Sequence, residues 1–233
     1  MKKNVTDVAN ERRDFLKQMA TGAAALSLSM FAPPINLSAA TPSDGPSDAD
    51  TWFNQLDSKG KHRIVFDVTE PNGMMPFAWP KVYQLTNGMT GSDEKELGTV
   101  VILRHEAIPY ALENRLWEKY KFGEMFKIDD PKTNKPSVRN PYWQPSKGDF
   151  SVPGIGEVEI GINQLQDHGV MFCACNMALT VMSAVAAQSM KMDAATVLND
   201  WKSGVLPGVQ VVPSGVWAVG RAQEHGCAYC FAG

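Results

Sequence analysis

The sequence predicts a three-layer α/β/α domain on a mainly parallel sheet of about five strands. Short apolar segments alternate with helical segments five times between residues 62 and 231. That alternation is the pattern of a parallel sheet sandwiched between helices. The strand segments are also unbroken apolar runs, such as Val100-Val101-Ile102-Leu103, which suits strands covered on both faces.

The elements follow in order. His62 to Thr69 reads as the first strand, ended by the turn residues Glu70-Pro71-Asn72-Gly73. A helix is expected over about Pro80 to Met89, and a second strand over Thr99 to Arg104. The next helix, about Ala111 to Lys121, carries Leu112, Leu116, Trp117 and Tyr120 on one face. Residues 129–156 hold five prolines and three glycines, and read as a loop too long for a plain connection. A helix near Glu159 to His168 stops at Gly169. Val170 to Ala174 is the third strand, followed by a helix over Met177 to Met190 and a short one over 194–203. Val209 to Val212 is the fourth strand, Ser214 or Gly215 caps a helix ending at Glu224, and Cys227 to Phe231 is the last strand.

Ahead of this domain, which is expected over 52–233, stand an address and a linker. Arg12-Arg13-Asp14-Phe15-Leu16-Lys17 precedes a mildly apolar stretch from Met19 to Ala32, and Ser38-Ala39-Ala40 offers small residues for cleavage. The run resembles a twin-arginine export signal, with Glu11 where Ser or Thr is usual, and implies a periplasmic location after residues 1–40 are removed. Residues 41–51 read as a polar linker, with ordered structure beginning near Trp52. Removing the signal moves the formal charge from −3 to −5 and leaves 193 residues. An acidic surface argues against nucleic acid as partner. No later apolar run approaches the length of a membrane span.

In parallel sheets the working groups gather beyond the carboxyl ends of the strands. The residues leaving those ends include His105, Cys175 and Pro213-Ser214-Gly215. The four cysteines form two close pairs, Cys173/Cys175 and Cys227/Cys230. One reading gathers all four as a tetrahedral metal site, a second joins them by disulfides, and a third treats them as apolar core. Cys175 stands apart, because it sits where strand gives way to Asn176 and a helix whose N-terminus favours a thiolate. His105 is the candidate acid–base partner, with a loop hydrogen bond as the alternative. Tyr142 and Trp143, in the long loop, form either a lid over the site or an aromatic anchor on the core. Asn176, Ser214 and Gly215 are candidate pocket residues. Signatures of dinucleotide, nucleotide and serine-hydrolase sites are missing from the sequence.

Three patches together resemble the DsrE/DsrF-like sulfur-relay family, specifically its exported members. They are Val100 to His105 with Ile108-Pro109, Gly169 to Asn176, and Val212 to Val216 with Arg221 to Tyr229. The resemblance implies a three-layer α/β/α fold, assembly into trimers or hexamers, and a persulfide carried on Cys175; no cofactor is expected. A sulfur-donor protein or a small sulfur compound would be its partner. Extra thiols at Cys173, Cys227 and Cys230, and the loop 129–156, depart from the family pattern.

Overall fold

A computed structural model describes residues 48–152 and 154–233. The export-signal reading of 1–40 and most of the linker reading fall outside them. Helix α1, Asp48–Phe53, begins inside the stretch read as linker. Its Ala49 and Phe53 are buried, so the ordered chain starts before Trp52.

The sheet has five parallel strands: β1 (Arg63–Val68), β2 (Gly98–Leu103), β5 (Met171–Cys175), β6 (Val209–Val212) and β7 (Ala228–Phe231). Their order across the sheet is β6-β5-β2-β1-β7. All four pairings are parallel, as the unbroken apolar runs predict. A separate antiparallel pair, β3 (Ser151–Val152) and β4 (Gly156–Glu157), punctuates the end of the long loop.

Side chains alternate across the sheet into two cores, because successive strand residues face opposite ways. Val65, Val100, Ile102, Cys173 and Val212 pack with α1 and with α8 (Gly215–Glu224). Phe66, Val68, Val101, Leu103, Phe172 and Ala174 form the larger core on the other face. That core is closed by α2 (Met75–Met89), α3 (Asn114–Tyr120), α4 (Phe122–Met125), α5 (Ile162–Asp167), α6 (Asn176–Met190) and α7 (Ala194–Ser203). Trp117 and Trp201 are fully buried there. Burying an aromatic side chain of this size dominates local energetics.

Several helices differ from expectation, two of them markedly. α2 starts at Met75, five residues before Pro80, because Pro76 occupies its first turn, where a missing N–H costs nothing. Pro80 then lies inside the helix. Between β2 and α3 the chain forms a 3₁₀ helix, His105–Ala111, which the sequence reading passed over. Ala107, Ile108, Tyr110 and Ala111 are all buried in it.

Candidate functional site

The carboxyl ends of β1, β2 and β5 bring three polar side chains to one edge of the sheet. Cys175 ends β5 and caps α6, with its sulfur accepting the backbone N–H of Ala178 at 3.2 Å. On the neighbouring strand, Leu103 pairs with Ala174. Arg104 is therefore the next residue along, level with Cys175 one strand spacing away, about 4.8 Å. Cys175 packs with the larger core and the Arg104 stem lies against Gly215 of α8, yet the two groups are near enough for the charge of one to act on the other.

Arg104 is held in place by Asp67. Its Nε donates to Oδ1 at 2.6 Å and its Nη2 to Oδ2 at 2.8 Å, a bidentate fork. The Tyr229 hydroxyl, from edge strand β7, donates to the same carboxylate at 2.9 Å. Asp67 is 2% exposed and the Arg104 side chain 26%, so the carboxylate is sealed while the cation reaches water. The hydrogen bond that Arg104 donates to Asp67 holds the guanidinium above its ordinary value; burial opposes it, and the charges of Asp67, Tyr229 and Cys175 add to it. Gly215 lets α8 approach this close, since a Cβ there would sit 2.5 Å from Arg104 Cδ. Ser214 caps α8 through the N–H of Trp217 at 3.2 Å.

The other candidates occupy distinct positions. His105 is exposed, in the left-handed region at φ 51°, and its imidazole has no hydrogen bond or ion pair among the described residues. The charged neighbour of Cys175 is the residue before it, Arg104. Asn176 is half-buried at the start of α6, where its carbonyl accepts the Thr180 hydroxyl at 2.9 Å.

The loop reading resolves toward anchor rather than lid. Tyr142 is 5% exposed, and its ring stacks on Phe77 at 4.2 Å and on Phe150 at 4.9 Å. Its hydroxyl donates to the Gly73 carbonyl at 2.8 Å, and burial holds that phenol well above its usual range. Asn140, wholly buried, ties the loop to the carbonyls of Tyr110 and Leu112 at 2.8 and 3.0 Å. Trp143 packs against the same core. These contacts pack the loop's aromatic and amide groups into the core.

The four-thiolate metal reading and the cross-linked reading fail on topology. Between β5 and β7 lie β2 and β1, so the two cysteine pairs stand three strand spacings apart, about 14 Å. That exceeds any disulfide reach. Within the second pair, Cys227 packs in the α1/α8 core while Cys230 packs against the other, so the two straddle the sheet. All four are free thiols, and among the described residues no group of three or more His, Cys, Asp or Glu side chains could hold a metal ion. Cys173 is wholly buried, and burial pushes its thiol far above the ordinary range. Burial pushes Cys227 up to about 11, with Arg63 pulling the other way, and raises Cys230 as well.

A cavity of about 470 Å³, lined by Trp52, Lys59, Gln166, Met171 and Gly208 among others, opens at the amino end of β5. It lies at the end of the strand opposite to Cys175.

No family model matches the chain, and no curated protein matches it. Among solved structures it is similar to MTH1491 from Methanobacterium thermoautotrophicum, a protein of unknown function. The two share 19% identity over 73% of this chain and 98% of that one, with a TM-score of 0.38. A likeness this loose carries no argument about chemistry.

Arg104, Asp67 and Tyr229 were not singled out from sequence. One signal was present. Asp67 interrupts an otherwise apolar strand, and a carboxylate buried there demands a cationic partner.

Proposed function

We propose that this chain handles sulfane sulfur as a persulfide on Cys175, as a periplasmic member of the DsrE/DsrF-like sulfur-relay proteins. One observation carries the reading. Of the four thiols, Cys175 alone combines a helix N-terminus, through its bond from Ala178, with a guanidinium level with it on the next strand. The step transfers one sulfur without net oxidation: the Cys175 thiolate attacks the terminal sulfur of R–S–SH. The old S–S bond breaks, the electron pair leaves on R–S⁻, and Cys175–S–SH remains. The periplasmic part of the reading rests on the Arg12-Arg13 run and Ser38-Ala39-Ala40.

Treating the protein with polysulfide, trapping with an alkylating agent and mapping peptides by mass tests the chemistry. One added sulfur on the Cys175 peptide is expected. Sulfur on other cysteines with none on Cys175 ends the reading.

The same proposal includes self-association into a trimer or hexamer. Its support is an apolar stripe on the outer face of α2, where Met75, Trp79, Val82, Leu85 and Met89 are all exposed. Met75, Val82 and Met89 recur every seven residues, with Leu85 between the last two, as in a helix-pairing seam. Lys81 is the one charged residue of α2, so copies of the helix meet little repulsion. Light scattering on the mature chain tests this, and Val82→Glu with Met89→Glu is expected to leave monomers.

A further inference from the structure

Arg104 has more hydrogen-bonding capacity than Asp67 uses. A guanidinium carries five N–H donors, and the fork to Asp67 accounts for two of them. Nη1 has no hydrogen bond among the described residues. The Arg104 side chain is 26% exposed and Cys175 is 6% exposed, so the cation reaches solvent next to a thiol that is itself mostly covered.

The setting is built rather than incidental. Asp67 is 2% exposed, takes both bonds of the fork and receives a third from Tyr229. The Arg104 stem lies against Gly215, where any larger residue would collide with it. The cation is thus fixed from three elements, β1, β7 and α8, and stays charged at all physiological pH values. A fixed cation beside a thiol in a partly dry setting attracts anions more strongly than one on a mobile surface side chain.

We infer that Arg104 is a specificity-determining residue that selects anionic sulfur compounds for Cys175. This deepens the persulfide reading and rests on it. The substrate class is a hydropolysulfide or a persulfide whose carrier bears a negative charge, in preference to a neutral trisulfide. For a hydropolysulfide the step is Cys175–S⁻ plus HS–Sₓ⁻ giving Cys175–S–SH plus Sₓ²⁻. The leaving fragment gains a charge as it departs, and Arg104 stands where that charge must be met. Asp67 and Tyr229 act through Arg104 and are positioning residues.

Iodoacetate and iodoacetamide probe this directly, because they alkylate the same thiolate and differ in charge. Rates are read at Cys175 by peptide mapping on the full chain. Arg104→Gln is expected to lower the iodoacetate-to-iodoacetamide ratio at Cys175 about threefold, and to remove its decline with added salt. Arg104→Lys is expected to restore part of the ratio, which a purely structural role would not do. Because Arg104→Gln strands a buried carboxylate, the double variant Asp67→Asn with Arg104→Gln serves as a second, charge-balanced test, and the same drop is expected. A ratio unchanged from wild type in either folded variant overturns the inference. Polysulfide loading separates the two readings. If Cys175 takes no sulfur while the ratio still depends on Arg104, the persulfide reading fails and the anion selectivity stands. If Cys175 loads and the ratio ignores Arg104, the inference fails and the carrier reading stands.

Discussion

Two regions of this molecule are rich in polar and aromatic side chains, and they are built in opposite ways. The loop from Asn140 to Phe150 is an aromatic and amide plug. Its Tyr142 stacks between Phe77 and Phe150, and the Asn140 amide is bonded on both donor and acceptor sides. The mouth of the sheet at Cys175 holds a bidentate ion pair with spare donors and a thiol capping a helix. One region has its buried Asn140 amide and Tyr142 phenol matched to partners and is spent on stability. The other keeps unmatched capacity facing solvent, which is what binding requires. Chemistry-bearing residue types alone do not separate the two cases; the hydrogen-bond accounts do.

Substitutions should reveal this division as a gradient of stability cost. The largest effect is expected from Tyr142→Ala, which empties the stack and should destabilise by about 3–5 kcal/mol, or about 10 °C in Tm by calorimetry. Reactivity of Cys175 in the folded fraction should not change. Asp67→Ala should cost about 3 kcal/mol in urea unfolding, toward the low end for breaking a buried pair, because Arg104 can turn to water. Asn140→Ala should follow at about 2 kcal/mol, since it removes the partner of three backbone groups, Tyr110 and Leu112 on one segment and Tyr142 in the loop. Cys175→Ser should fall within about 0.5 kcal/mol of wild type, as serine is itself a good helix cap. A large loss there would mean that the cysteine serves packing, and the contrast between the two regions would collapse.

A pH prediction sits away from both regions. Burial would raise Asp200, but hydrogen bonds from Lys119, Arg115 and Tyr120 outweigh it and hold the carboxyl at about 2. A depressed carboxylate contributes stability above its unfolded range, near pH 4, and loses it as pH falls toward 2. Asp200→Asn should therefore flatten the acid limb of the stability profile while leaving Cys175 alkylation at neutral pH unaltered.

Much of the fold was legible because its signals are local. Val209–Val212 and Ala194–Ser203 match their predicted spans, and β5 differs by one residue at each end. Elements with conflicting local signals were missed or shortened. Prolines masked the start of α2, and Asp48 and Asp50 disguised α1 as linker. The position of Cys175 at a strand-to-helix junction was also readable, since a strand's end and a helix's beginning are both local. Its charged partner was not. Arg104 meets Asp67 across 37 residues and Asp67 meets Tyr229 across 162, distances over which sequence pattern carries no pairing information. His105, the better-known type of thiol partner, lies one residue too far along the chain.

That last separation bears on how the protein comes to exist. Edge strand β7 pairs directly with β1 although about 160 residues separate them in the chain, a pairing of high contact order and hence slow. Until it docks, Asp67 lacks the Tyr229 hydroxyl and the sheet edge beside it is open. A chain arrested before that event already owns its cysteine but not the environment that governs it. If Arg104 selects anionic sulfur compounds for Cys175, that selectivity is complete only once this edge of the sheet has closed.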